Sequence, residues 1–283
     1  MASNQIHRGK AVRGTILYKM TGSGNDFVML DGRCTDPTAW SRERIAAVCD
    51  RRTGVGADGL VLLTPEGQDA VRMIYWNSDG SRAAMCGNAA LCSARLAVYL
   101  EMVPGGELSL LTDAGEVAAR SPVSGDSAEI NLPDCTVPVA VPALDLRAGE
   151  RWLAFATVGV PHLVIRVDDI EAVDVAGHGR ELRFAPALGP AGANVNFVAP
   201  SGGGPWLIRT YERGVEGETL ACGTGTVAAA LALACQGEAS LPSRFRTRGG
   251  PELAVRGCLE GSHARNIWLG GQGKLVFRAI WEV

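Results

Sequence analysis

A chain of 283 residues fits one large domain or two of ordinary size, and a hydrophobic fraction of 47% is enough for a real core. Net charge is −3 with 20% charged residues, which excludes the basic field of a nucleic-acid binder, and the longest apolar run, Val227 to Cys235, is too short to cross a bilayer. Met1 to Gly14 is polar and basic without the apolar stretch of a signal peptide, so it reads as a loose extension and a cytoplasmic location is expected.

Ile16-Leu17-Tyr18 and Phe27 to Leu30 read as strands around a glycine loop, Thr21 to Asp26. Ser41 to Asp50 reads as a helix with Ser41 as N-cap and Ile45, Val48 and Cys49 on one face. A second glycine loop, Arg51 to Gly59, leads into a strand over Leu60 to Leu63. Val71 to Trp76 is a further strand that runs into the turn Asn77-Ser78-Asp79-Gly80. A helix then follows Cys86 to about Leu100 and stops before Pro104-Gly105-Gly106.

Glu107 to Arg120 alternates as a hairpin should. Ser121 to Glu150 is rich in Pro, Ser and Asp, and the crossing between domains is placed there. Phe155 to Val167 is strand-like around Val160-Pro161-His162, and Asp168 to Gly189 carries a short helix or loop. Asn194 to Val198 and Leu207 to Tyr211 are strands, a second helix runs from about Thr224 to Cys235, and the tail from Leu253 alternates as paired strands.

The halves echo each other. Cys86 and Cys222 both stand in Cys-Gly-polar ahead of an apolar helical run, 222 − 86 = 136 residues apart. Gly56-Ala57-Asp58 returns at Gly192-Ala193-Asn194, and Phe27-Val28-Met29-Leu30 at Leu163-Val164-Ile165-Arg166, with the same offset. Such a duplication predicts an α/β fold of the α+β type. The strand-rich pattern with two apolar helices suggests halves that are each a curled mixed β-sheet around a central helix, and if a pseudo-two-fold axis relates them as two pseudo-symmetric domains, the two cysteines face each other across the cleft.

Eight cysteines (Cys34, Cys49, Cys86, Cys92, Cys135, Cys222, Cys235 and Cys258) in a chain with no secretion signal read as free thiols. No Cys-x-x-Cys occurs and the four histidines are scattered, which argues against a structural zinc site and against a dithiol redox cycle. Cys86 and Cys222 lie at helix N-termini, where unpaired N–H groups and the helix dipole favour negative charge. Each thiol is therefore expected to ionise more readily than a free one. The same N–H groups make a carboxylate site.

Two thiols on opposite faces of one carbon suit a single reaction class. One thiolate removes a proton from a carbon acid, the other thiol returns a proton from the far side, and configuration inverts. Pyridoxal phosphate would need a lysine, and Lys10, Lys19 and Lys274 all lie outside the glycine-rich loops. No cofactor and no metal are expected. Preorganised donors at Gly87-Asn88 and Gly223-Thr224 are placed to stabilise charge spreading onto a substrate carboxylate.

The ordered set Gly24-Asn25-Asp26-Phe27, Gly54 to Gly59, Asn77 to Gly80, Cys86-Gly87-Asn88, Pro161-His162, Asn194 to Phe197 and Tyr211 to Gly225 closely resembles the diaminopimelate epimerase family over roughly residues 17 to 225. The resemblance implies two α/β domains related by a pseudo-two-fold axis, 1–131 carrying Cys86 and 132–272 carrying Cys222. The active site lies between them, and a C-terminal strand, 273–283, returns to the first domain. It implies a cofactor-independent epimerase of LL- and meso-diaminopimelate, serving lysine and peptidoglycan-precursor synthesis.

By the same resemblance Cys86 and Cys222 are the acid–base pair, and Gly87-Asn88 and Gly223-Thr224 cradle the carboxylate at the reacting centre. Asn25, Asn77, Asn194, Glu212 and Arg213 bind substrate, with Asn77, Asn194 and Arg213 at its distal end. His162 and Glu212 tune the thiols, since an imidazolium lowers and a carboxylate raises a neighbouring thiol's pKa.

Plainer roles stand beside these. His162 could be a satisfied core histidine, Arg213 an ion pair with Glu212 or Glu216, and Asn77 the holder of its own turn. Gly223-Thr-Gly-Thr lacks the rest of a dinucleotide fingerprint. The chain departs from the commonest family pattern at Gly59, Ala89, Leu91 and Val160, where others carry Gln, Gly, Arg and Asn, and Glu216 is one residue extra. Val160 removes an amide from the distal end. A racemase of another amino acid, such as histidine, and a catalytically silent amino-acid-binding protein are the alternatives. The expected partner is a small-molecule amino acid, with no nucleic acid and no membrane, and a homodimer is left open. The thiol pair is expected to oxidise to a disulfide when the cleft is empty, so that reductant protects activity.

Overall fold

The computed structural model describes residues 14–281, so all of the N-terminal extension before Gly14 and the final two residues of the tail lie outside the described residues. The chain opens with strand Thr15–Gly22 antiparallel to Asn25–Asp31. Helix α1, Arg42–Cys49, then crosses over so that Gly59–Pro65 lies parallel to Asn25–Asp31. The Ser41 hydroxyl accepts from the Arg44 N–H at 3.3 Å and caps α1, as the sequence predicts. Ala70–Asn77 returns antiparallel, and helix α2, Gly87–Tyr99, carries the chain to a parallel strand, Glu107–Thr112.

The second half repeats this path. Glu150–Val158 and Val160–Val167 form a hairpin, α3, Val175–Arg183, crosses over, and Asn194–Ala199 lies parallel to Val160–Val167. Trp206–Glu212 returns antiparallel, α4, Gly223–Cys235, crosses over, and Ser243–Arg246 lies parallel to Trp206–Glu212. The registers match residue for residue. Phe27 pairs with Gly59, and 136 positions later Leu163 pairs with Val195. Both α2 and α4 span 13 residues and each has its cysteine as N-cap. The duplication read from the sequence is thus a duplication of topology.

The two later helices are central because their composition lets them be. Residues 88 to 98 of α2 are buried without a break, and Val227 to Leu233 of α4 are all at 0% exposure. A helix apolar on every side, as α4 is over this stretch, has no face for water, and α2 buries Ser93 and Arg95 along with its apolar residues. Their many alanines let surrounding strands come close. Both end on a left-handed residue 136 positions apart: Gly237 (φ 72°) after α4 and Glu101 (φ 53°) after α2. In each the two N–H groups beyond the helix fold back onto its last carbonyls, Glu101 to Val98 and Met102 to Ala97, Gly237 to Ala234 and Glu238 to Leu233.

Three strands were hidden in the segment read as a crossing, the pairs Cys135–Thr136 and Val139–Ala140 and one of full length. Ser127–Leu132 pairs with His263–Gln272, and its Ala128, Ile130 and Leu132 face inward while polar residues alternate with them. Turn-forming neighbours on both sides masked a short period-two signal. Lys274–Trp281 then pairs with Thr15–Gly22, bringing the tail back to the first strand. Among the described residues, no helix is long and apolar enough to cross a membrane.

Candidate active site

The N-termini of α2 and α4 meet over strand His263–Gln272. A methyl group added at Gly87 would lie 3.9 Å from Leu269 Cδ2, and one added at Gly223 would lie 2.7 Å from the same atom. Cys86 and Cys222 stand at these two N-termini in extended conformation, and neither side chain caps its own helix. The backbone N–H groups of Asn88 and Ala89 face the Cys86 sulfur, and that of Gly225 faces the Cys222 sulfur. The Thr224 hydroxyl lies 3.7 Å from the Cys222 sulfur. Each thiol sits in its own nest of helix donors, and each lies within the electrostatic reach of the Glu212 carboxylate.

The expectation that these thiols ionise easily is overturned. Burial pushes the Cys86 thiol up, and burial followed by the charge of Glu212 pushes Cys222 up to about 12. The helix donors pull the other way and lose. Desolvation penalises the whole thiolate charge, whereas a helix end offers only about half a unit charge. Burial thus holds both sulfurs as neutral thiols at neutral pH.

The second half supplies His162, Asn194, Glu212 and Arg213. His162 is at 0% exposure, and burial, followed by the Arg213 charge, lowers its pKa to about 3. It is therefore a neutral imidazole, and the reading of it as an imidazolium that lowers the thiol pKa values does not hold. Asn194 is buried and accepts from the Arg213 N–H at 2.7 Å, which fixes the backbone on which Arg213 is carried. The Arg213 guanidinium has no hydrogen-bond or ion-pair partner among the described residues. Glu216, one of the carboxylates considered for it, pairs with Arg183 at 3.1 Å and holds a left-handed turn (φ 55°). Glu212 is half-buried, and burial raises its pKa.

Asn196 was quoted from the sequence without a role, and the structure gives it one. It is fully buried; its Nδ2 lies 3.3 Å from His162 Nδ1 and donates to the Leu163 carbonyl at 3.1 Å. Its Oδ1 accepts from the Thr210 hydroxyl at 3.0 Å. A methyl at Gly225 would meet that Oδ1 at 2.2 Å and the Cys222 sulfur at 3.2 Å, so Asn196 is wedged against the first turn of α4. The signal was present: Asn194 and Asn196 are two apart on one strand and share a face.

In the first half Asn25 donates to Asp58 at 2.9 Å and accepts from Asn88 Nδ2 at 2.6 Å. Asp58 and Asp26 share Arg51, and Asp26 also takes Lys19 at 2.6 Å. This ion cluster was not anticipated, although both carboxylates lie in the glycine-loop motifs. Asn77 is exposed, and its amide donates to the Ser81 hydroxyl at 3.0 Å within its own turn. Gly59 pairs with it across the sheet, and a side chain there would strike the Trp76 carbonyl at 2.5 Å. Val160 opens its strand and leaves no amide at that position.

The model of the family described as diaminopimelate epimerase matches residues 17–130 and 154–256. The chain belongs to the diaminopimelate epimerase family. It is 44% identical over 269 residues to the diaminopimelate epimerase of Gemmatimonas aurantiaca, covering 92% of this chain and 96% of that one. It is 34% identical to the diaminopimelate epimerase of Flavobacterium psychrophilum, with 92% and 98% covered. Among solved structures, a phenazine biosynthesis protein of the PhzF family from Enterococcus faecalis aligns with a TM-score of 0.71 at 14% identity, covering 96% of this chain and 100% of that one. That likeness extends the fold well beyond the family. In the present chain the two cysteines at the N-cap positions of α2 and α4 occupy equivalent places in the two halves.

Proposed function

We propose that the protein interconverts LL- and meso-diaminopimelate without a cofactor, with Cys86 and Cys222 as the two proton carriers at the α-carbon. The observation that carries this reading is the convergence of two thiols, one from each half, Cys222 buried and Cys86 partly so, on a site that also holds Arg213, whose guanidinium has no partner among the described residues. The α-carboxylate is held by the N–H groups at Gly87-Asn88 and Gly223-Thr224. Arg213, carried by Asn194, takes the distal carboxylate in a bidentate fork, with Asn77 at the same end. Asn25 supports the reacting end through Asn88.

Substrate entry lifts part of the penalty that keeps the two thiols neutral. The ammonium group brings a positive charge beside Glu212, and the push of Glu212 on both sulfurs is then offset. One thiol gives up its proton to solvent as the substrate enters and, as thiolate, removes the α-proton. The negative charge spreads onto the carboxylate, where the helix donors are already aimed. The opposite thiol delivers its proton to the other face, and the pair is left with the roles exchanged.

On this reading residues 14–131 with 273–281 form one domain and 132–272 the other, each delivering one thiol, and the enzyme works in the cytoplasm. Val160, apolar at the mouth of its strand, favours a second reading, a racemase for an amino acid without the distal carboxylate and amine. Chiral chromatography of reduced protein with LL-diaminopimelate separates the two. Appearance of the meso isomer supports the first. Inversion of another amino acid with diaminopimelate unchanged supports the second.

A further inference from the structure

We propose that Asp58 is a positioning residue: through Asn25 it fixes which way the Asn88 amide faces, so that Asn88 turns its oxygen to the ammonium group of the bound amino acid. This rests on the reading above that the ligand is an amino acid held at the N-terminus of α2.

A carboxylate paired with arginine accepts hydrogen bonds and donates none. Asp58 Oδ1 takes Arg51 at 2.7 Å, and Asp58 Oδ2 takes the Asp26 N–H at 3.2 Å and Asn25 Nδ2 at 2.9 Å. The Asn25 nitrogen must therefore face Asp58, which leaves its oxygen facing Asn88 at 2.6 Å. The same logic moves one step on. Asn88 must turn its nitrogen to Asn25, and its Oδ1 is left buried with no donor among the described residues. An orphaned buried acceptor costs about 1–3 kcal/mol, so a donor from the ligand is strongly favoured there.

Position gives this acceptor its meaning. Asn88 is two residues from Cys86, in the first turn of α2, where the backbone offers only donors. Donors suit the carboxylate on the reacting carbon but repel its ammonium. One acceptor among them lets the site tell the two groups apart and hold the carbon in a single orientation between the thiols. Arg51 does not need Asp58 for an ion pair, because it also holds Asp26 at 2.6 Å. Without the acceptor at Asp58, Asn25 is free to turn over, and Asn88 would then offer an NH2 group to the ammonium.

The test is Asn25→Asp made in two backgrounds. In the wild type it sets a second carboxylate against Asp58, and a fall in kcat/KM of at least tenfold with a lower Tm is expected. Asp58→Ala alone lowers kcat/KM at least tenfold, chiefly through KM. In that background Asn25→Asp again offers Asn88 only an acceptor, and kcat/KM recovers at least fivefold. A fall in both backgrounds, or Asp58→Ala within twofold of wild type, overturns the proposal. The Tm of the ligand-free protein reads the same reversal without substrate: Asn25→Asp lowers Tm in the wild type and raises it in Asp58→Ala, and a lowering in both overturns the relay. Wild-type protein that fails to turn over diaminopimelate counts against the proposed function alone, and the Tm comparison still decides the relay. If Asp58→Ala does not fold, Asp58→Asn takes its place. Asn25→Asp/Asp58→Asn should then exceed Asn25→Asp alone at least tenfold, and equal activity overturns the relay.

Discussion

Replacing His162 by asparagine should remove a large part of the protein's acid sensitivity. The imidazole titrates near 6.5 in an unfolded chain, and in the folded protein burial, aided by Arg213, holds it down to about 3. The unfolded state therefore takes up the proton first. The contribution of His162 is fully present above about pH 6.5 and is lost as pH falls toward 3, at up to about 1.4 kcal/mol per pH unit. Between pH 7 and pH 4 this amounts to about 3 kcal/mol. Urea unfolding at pH 7, 6, 5 and 4 measures it. The His162→Asn variant starts lower, because a buried ring is lost, but its stability should fall less steeply by about 3 kcal/mol over that range. Parallel curves for the two proteins would refute the neutral, desolvated histidine.

Glu212→Gln removes the carboxylate charge that raises both thiols, so the rising alkaline limb of kcat/KM should move to lower pH; a limb that stays in place contradicts the coupling. Gly225→Ala drives a methyl into Asn196 and toward the Cys222 sulfur, and should cost about 1–3 kcal/mol in urea unfolding along with a fall in kcat. Glu101→Gly relieves a left-handed glutamate at the end of α2 and should raise stability by about 1 kcal/mol, as its counterpart Gly237 already does after α4.

The sequence showed the skeleton of the site because the chemistry is written locally. A cysteine before an apolar helix is visible in a dozen residues, and its recurrence at a fixed offset announced the duplication. Two things were hidden for physical reasons. Thiol and imidazole ionisation depend on how much water the finished fold excludes, which no local motif records, and there the expectations for Cys86, Cys222 and His162 went the wrong way. Networks such as Asp58–Asn25–Asn88 and Asn196–His162 join residues more than 30 positions apart, and their partners become known only once parallel strands set the register. Strand Ser127–Leu132 was missed for a third reason. Its partner, His263–Gln272, lies in the far half of the chain, and its own six residues carry a weak signal.

Exchange at the α-carbon is the most direct measurement. Reduced protein with LL-diaminopimelate in D2O, followed by proton NMR beside Cys86→Ala and Cys222→Ala controls, reads proton removal and inversion together. The two-thiol site predicts loss of the α-proton signal with growth of the meso isomer, and a drop of about 10²–10⁴-fold or more in each variant. Inversion that survives the loss of either cysteine would contradict it.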